Sequence, residues 1–208
     1  MCRNIYLFFI ISFLSAFAHR SKAQTVIEGF SSEDFFNIET WWIKPFDQDY
    51  KFSLFNLNTA EHNYHTNETV LMSYSIVSYT WHKGFGPAIG TRLLKDRLVA
   101  LGGPQYTYYS EKFFVTTNFT SEFRSNPDFE LFSIIQFRPQ ITQEIDGFLQ
   151  GQFSFTFNAH GHLLSFQYVR FGVDMGIVQT GLAFNQFQFG RDWGYSFQPG
   201  LFLRLEFQ

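Results

Sequence analysis

The sequence predicts an all-β fold, a closed antiparallel up-and-down transmembrane β-barrel, and three observations carry that prediction. In the C-terminal run, Pro199, Leu201, Leu203, Leu205 and Phe207 alternate with Gln198, Gly200, Phe202, Arg204 and Glu206, so a strand there has one oily face. The 208 residues include 30 Phe and 10 Tyr, yet mean hydropathy is close to neutral. Alternation reconciles the two, because each strand shows one face to lipid and the other to a polar lumen. Finally, no run after Gln24 approaches the roughly 18 apolar residues of a membrane helix, whereas strand formers recur roughly every 13 to 16 residues between turn signals.

The N-terminus reads as a signal peptide, residues 1–23. Arg3 precedes an apolar run, Ile5 to Ala18, that is too short to span a bilayer. Ser21-Lys-Ala23 offers small residues at cleavage spacing, with Ala16-Phe-Ala18 as the competing site. Cleavage after Ala23 removes Arg3, Arg20 and Lys22 and no acidic residue, which moves the net charge from −3 to −6. That charge excludes a nucleic-acid footprint. Cys2, the sole cysteine, leaves with the signal, so the exported chain has no disulfide. Residues 24–208 contain no linker, low-complexity tract or charge block and are read as a single barrel domain.

Within that domain the candidate strands are 25–30, 36–46, 50–60, 69–82, 86–96, 98–110, 112–124, 128–141, 147–158, 162–174, 177–189 and 194–207. Turn chemistry separates them, for example at Lys83-Gly-Phe-Gly-Pro87, Ser125-Asn-Pro-Asp128, Asp146-Gly147 and Gly190-Arg-Asp-Trp-Gly194. Period two is cleanest from Lys112 onward. There Phe113, Val115, Thr117 and Phe119 oppose Thr116, Asn118, Thr120 and Glu122; Leu131, Ile135 and Phe137 oppose Glu130, Gln136 and Arg138; Phe153, Phe155 and Phe157 oppose Gln152, Ser154 and Thr156. Twelve strands result. Ten is the alternative if the short first two are demoted, in which case Ser31 to Asp34, with capping-box spacing, opens a short helix. A soluble β-sandwich is the non-membrane competitor and would bury its aromatic faces.

Charges are costly on a lipid-facing strand surface, so the polar faces define lumen-lining candidates: Glu122, Glu130, Gln136, Arg138, Gln150, Gln152, Arg170, Asp174, Arg204 and Glu206, together with the aromatics Phe132 and Phe202. They either fill the interior as a hydrogen-bonded network or line a solute path. Trp41, Trp42, Trp81, Trp193, Tyr106, Tyr108 and Tyr195 lie near predicted strand ends and are expected in the interfacial girdles. His160-Gly-His162 has no nearby Asp, Glu or Cys to supply the further ligands that a metal site needs and is read as a solvated turn; His62 and His65, in Glu61-His-Asn-Tyr-His65, are read the same way. Ser165 follows His162 closely, but Asp174 stands about 30 Å away along an extended strand, so these three do not make a triad. No catalytic residue, metal site or cofactor is nominated. Asn67-Glu-Thr69 and Asn118-Phe-Thr120 match the glycosylation pattern, which is idle in a bacterial outer-membrane protein.

The signal peptide, the alternating strands and the closing Gly200 to Phe207 motif together resemble Gram-negative outer-membrane β-barrels. The resemblance implies residence in the bacterial outer membrane, contact with membrane lipid, and delivery by the barrel-insertion machinery through the C-terminal strand. The opening hairpin from Asn37 to Asn58, with Trp41-Trp42 and Lys44-Pro-Phe-Asp47, is similar in style to Tsx-like, nucleoside-channel-type barrels. That likeness implies twelve strands and a narrow passive channel for small, nucleoside-like solutes, although no ligand position matches residue by residue. The alternatives are a plugged structural or adhesion barrel and a lipid-modifying enzyme, a hydrolase or acyltransferase, which requires a Ser/His or carboxylate cluster at one rim.

Overall fold

The computed structural model describes residues 23–47, 51–94 and 97–207. The signal peptide lies outside these residues apart from Ala23, and so do parts of two predicted turns. Among the described residues there are twelve strands and no helix: β1 (Gln24–Ser32), β2 (Phe35–Pro45), β3 (Phe52–Asn63), β4 (Glu68–Tyr79), β5 (Phe85–Leu94), β6 (Arg97–Tyr109), β7 (Phe113–Glu122), β8 (Phe129–Phe137), β9 (Asp146–Asn158), β10 (Gly161–Asp174), β11 (Val178–Phe189) and β12 (Gly194–Phe207). Each pairs antiparallel with its chain neighbours, and β12 returns to β1 to close the barrel, with Thr25 opposite Phe207 and Ser32 opposite Gly200. The ten-strand alternative is therefore set aside. Glu33 and Asp34 form the bend between β1 and β2, where Ser32 Oγ caps the Phe35 amide at 3.1 Å, instead of opening a helix.

An even strand number puts both chain ends at one end of the barrel, termed proximal here; the other end is distal. Side-chain parity divides the wall most clearly in the later strands. In β12, Gln198, Phe202, Arg204 and Glu206 are buried while Leu201, Leu203 and Phe207 are exposed, as the alternation predicts. The same holds along β7, β8 and β9. Followed through the register, no Asp, Glu or Arg of the described strands points outward, and Lys44, near the proximal end of β2, is the one outward Lys. An Arg facing the hydrocarbon midplane costs about 2–4 kcal/mol, so the exterior is built for lipid. This is the architecture of a membrane-spanning β-barrel: strands of 9 to 14 residues, every ladder closed, and an apolar aromatic outer face.

Trp41 departs from its expected girdle position. It lies within β2 with 0% exposure, and its ring stacks on Phe114 of β7 at 6.4 Å. The register puts Trp41 opposite Val26 and Leu57, both inward and fully buried. The outward neighbour Trp42 is half-buried, while Trp81, Trp193, Tyr108 and Tyr195 are exposed at the ends.

Gly172 and Gly181 face each other in the β10–β11 ladder, where the backbones approach closely enough that a Cβ on Gly181 would lie 2.2 Å from the Phe171 carbonyl oxygen. Only glycine fits there. Gly181→Val should abolish the compact, heat-modifiable band of the refolded protein in gel electrophoresis, whereas Leu182→Val, at the exposed neighbouring position, should retain it. The overpacking cost is at least about 1–3 kcal/mol.

Candidate functional site

The inward faces bring three sets of side chains into the lumen. Nearest the proximal end, Arg138 binds Asp174 at 3.2 Å and also pairs with Glu206, which accepts from Gln24 at 2.9 Å. Gln136 donates to Gln150 at 2.6 Å, and the same Gln150 oxygen accepts from Arg204.

Midway, Glu28 of β1 is the hub. Its carboxylate accepts Arg170 Nε at 2.7 Å and Arg204 Nε at 2.9 Å, and Arg204 is its register partner across the closing seam. Arg170 also donates to Asn185 at 2.7 Å, and beside Glu28 the carboxylate of Glu39 accepts Gln152 Nε2 at 3.0 Å. The guanidinium groups lie over rings: Arg170 over Phe30 at 5.2 Å and Arg204 over Phe148 at 4.8 Å. Phe148 contacts Phe202 at 5.6 Å. The charges of Glu28, Arg170 and Arg204 are almost wholly removed from water, so they persist because each is paired and hydrogen-bonded.

Also at mid-height, an apolar cluster of Trp41, Phe55, Leu57, Tyr74, Phe132 and Ile134 fills the lumen. Phe132 of β8 meets Phe55 of β3 at 6.0 Å and Tyr74 of β4 at 5.4 Å, so side chains from opposite walls touch.

Toward the distal end, Arg92 bridges Glu122 and Glu130, each at 2.8 Å; Glu122 also accepts Arg97, and Glu130 accepts Ser154 Oγ at 2.7 Å. Above this layer a cup of about 720 Å³ opens. The ion pairs form one side of it, and Met72, Leu94, Phe166, Phe187 and Phe189 contribute an apolar surface. Two cup residues, Thr59 and Gln198, hold buried side-chain oxygens without a hydrogen-bond partner among the described residues. A second hollow, about 570 Å³, opens at the proximal end between Arg138, Asp174, Glu206 and the β8–β9 connection. The two hollows share no lining residue, and the packed middle lies between them.

All twelve candidates face this interior. Glu122 and Glu130 stand in the distal layer, Gln150, Gln152, Arg170 and Arg204 in the middle, Gln136, Arg138, Asp174 and Glu206 in the proximal layer; Phe132 sits in the apolar cluster and Phe202 beside Phe148. Sequence reasoning missed Glu28, Glu39 and Arg92. Their strands place Val26, Trp41 or Ala88 on the same inward face, which blurs polarity as a guide. It also missed a contact on the outer surface: His162, expected in a solvated turn, belongs to β10 and its Nε2 lies 2.7 Å from Ser165 Oγ. Asp174 is indeed remote from that pair, bound by Gln179 and Arg138. His160 is in the β9–β10 turn, and His65 pairs with Asp34 at 2.7 Å on the surface.

No protein-family model matches the chain, and no curated protein matches it in sequence. Among solved structures, a protein from a study of the in-meso crystallization of membrane proteins is 12% identical, with a TM-score of 0.46 over 89% of this chain and 83% of that one. The beta domain of the Bordetella autotransporter BrkA is 6% identical with a TM-score of 0.40, over 89% of this chain and 98% of that one. A bacterial polysaccharide outer membrane secretin is 10% identical with a TM-score of 0.37 over the same shares, 89% and 98%. The likeness in each case is one of fold alone.

Removing the hub carboxylate leaves two buried guanidinium groups without their anion. Glu28→Ala should lower stability by about 3–5 kcal/mol, read as an earlier urea-unfolding midpoint in lipid vesicles, and Glu28→Gln, which keeps an acceptor oxygen, should lose less.

Proposed function

We propose that this chain is an outer-membrane barrel with a sealed lumen, acting as a scaffold that presents an amphipathic small-molecule cup at its cell-surface mouth. The observation that carries this reading is the packed middle: aromatic contacts from β3 and β4 to β8 and the Glu28 cluster occupy the cross-section between two separate hollows. A solute path needs a continuous polar lumen, whereas here paired charges and packed rings fill the middle. The signal-peptide pattern and the lipid-adapted exterior support an outer-membrane location, read here with both chain ends toward the periplasm. The cup has an apolar body and a charged rim, which suits a ligand with a hydrocarbon portion and a polar head.

Two measurements test this. In planar bilayers the refolded protein should give no discrete openings, while a Trp41→Ala/Phe132→Ala double variant, with its plug thinned, should conduct. Openings by the unmodified protein, altered by added nucleosides, would instead support a narrow solute channel. For the cup, Val99→Cys introduces the sole cysteine of the mature chain. Dodecanoate should slow its reaction with a maleimide several-fold, and an unchanged rate would sink the cup as a ligand site.

A further inference from the structure

We propose that His162 and Ser165 form a serine-nucleophile site on the lipid-facing side of the barrel wall, near the distal rim, which cleaves an acyl ester of a membrane lipid. The inference requires the barrel to sit in a bilayer but does not depend on the lumen being sealed.

Residues three apart on a regular strand point to opposite faces. Here the β9–β10 register shifts: His162 is opposite Phe157, but Leu164 is opposite Thr156. Leu163 is the extra residue, and this β-bulge resets parity so that His162 and Ser165 share a face. That face is the outer one, since Val169 and Phe171 on the same parity as Ser165 are exposed while Phe166, Tyr168 and Arg170 are buried in the lumen.

The geometry fixes the chemistry of the pair. His162 Nδ1 lies 2.7 Å from the Gly190 carbonyl oxygen, which only accepts, so Nδ1 carries a proton. In the neutral ring Nε2 is then the lone-pair nitrogen, and Ser165 Oγ donates to it at 2.7 Å. This is the tautomer a general base needs. The Gly190 carbonyl takes the orienting role, and Trp193, stacked on the imidazole at 3.9 Å, holds the ring plane. Other outward polar side chains also pair, as Thr117 with Ser133 and Asn56 with Ser75. Those pairs only satisfy one another; the His162 pair adds a base of defined tautomer beside a hydroxyl.

The neighbours define the substrate. Across the sheet, Phe155, Ser165, Gln188 and Tyr195 form one register row. Tyr195 is 76% exposed, and Trp193 stands in the adjoining turn. Exposed aromatics of this kind mark the membrane interface, which is where the ester carbonyls of lipids reside. The Gln188 Oε1 is taken by Gln167 at 3.1 Å, leaving Nε2 as the end that donates to an oxyanion. Phe155 and Phe157 border the row on the other side, as a bed for an acyl chain. Ser165 itself is buried at rest, so the substrate reaches it by displacing the rim side chains above it, Trp193 being the one on an exposed turn.

In the reaction, Ser165 Oγ bonds to the ester carbonyl carbon as its proton passes to His162 Nε2. The tetrahedral intermediate expels the alcohol of the lipid, which takes that proton as the C–O bond breaks. Water, deprotonated by His162, then attacks the acyl-serine and releases the fatty acid, restoring Ser165.

The test uses the refolded mature chain in mixed micelles of detergent with diacyl phosphatidylcholine or with lipopolysaccharide, folding being checked by heat-modifiable migration. A fluorophosphonate probe should label the protein, and labelling should vanish in Ser165→Ala. His162→Gln, which keeps hydrogen bonding but cannot take the proton, should lower labelling and fatty-acid release by on the order of 1,000-fold. Release from one micelle type identifies the lipid. Absence of labelling, labelling that survives Ser165→Ala in folded protein, full activity in His162→Gln, or release from neither lipid would overturn the proposal.

Discussion

The structure rests on a constraint imposed by lipid: no backbone N–H or C=O, and no charge, is left facing hydrocarbon without a partner. Ladder closure between β1 and β12 meets the first half, and the absence of outward acids and arginines among the described strands meets the second. The two halves meet at Glu28. It lies on the first strand, beside the closing strand, and it holds the register partner Arg204 and the more distant Arg170 in one buried cluster. Charge excluded from the exterior is thus used to pin the seam from within.

Excluding charge from the outer face concentrates it inside a narrow cylinder, and that concentration shapes the interior. Isolated ions there would be prohibitively desolvated, so the arginines are shared among carboxylates and amides and lie against aromatic rings. The rest of the cross-section is filled with Trp41, Phe55, Tyr74 and Phe132, whose rings pack against one another. Ion pairs and rings are complementary solutions to one problem, filling a lumen at low dielectric, and they divide the barrel into a proximal hollow and a distal cup.

Much of the fold was legible in the sequence because β7, β8, β9 and β12 put nearly all their charged and amide side chains on one parity, with Phe114, Phe132, Ile134, Phe148 and Phe202 as apolar members of that inner face. Glu130, Gln136, Gln150, Gln152, Arg204 and Glu206 point inward as their alternation requires. The early strands were harder, since an inward face that carries Val26, Glu28 and Phe30, or Glu39 and Trp41, has no uniform polarity to read. Trp41 looked interfacial by residue type; its burial follows from register with Val26 and Leu57, which a single strand does not disclose. The outer-surface pair was hidden for a different reason. Spacing alone puts His162 and Ser165 on opposite faces, and the bulge that unites them depends on how β10 pairs with β9.

That bulge links the two sides of the wall at the distal rim. Leu163, the extra residue, and Leu164 and Phe166 beyond it contribute to the cup, while His162 before it and Ser165 after it are turned to the outer surface. A regular strand would have split the His and Ser between lumen and lipid, leaving a buried imidazole in the apolar cup or an unpaired hydroxyl in the hydrocarbon. With the bulge, both polar groups satisfy one another and the cup keeps its apolar side. One added residue therefore sets the chemistry of both faces, and the Gly190 turn, which accepts from His162 Nδ1 and donates its amide to the Leu163 carbonyl at 2.9 Å, is what holds that residue in place.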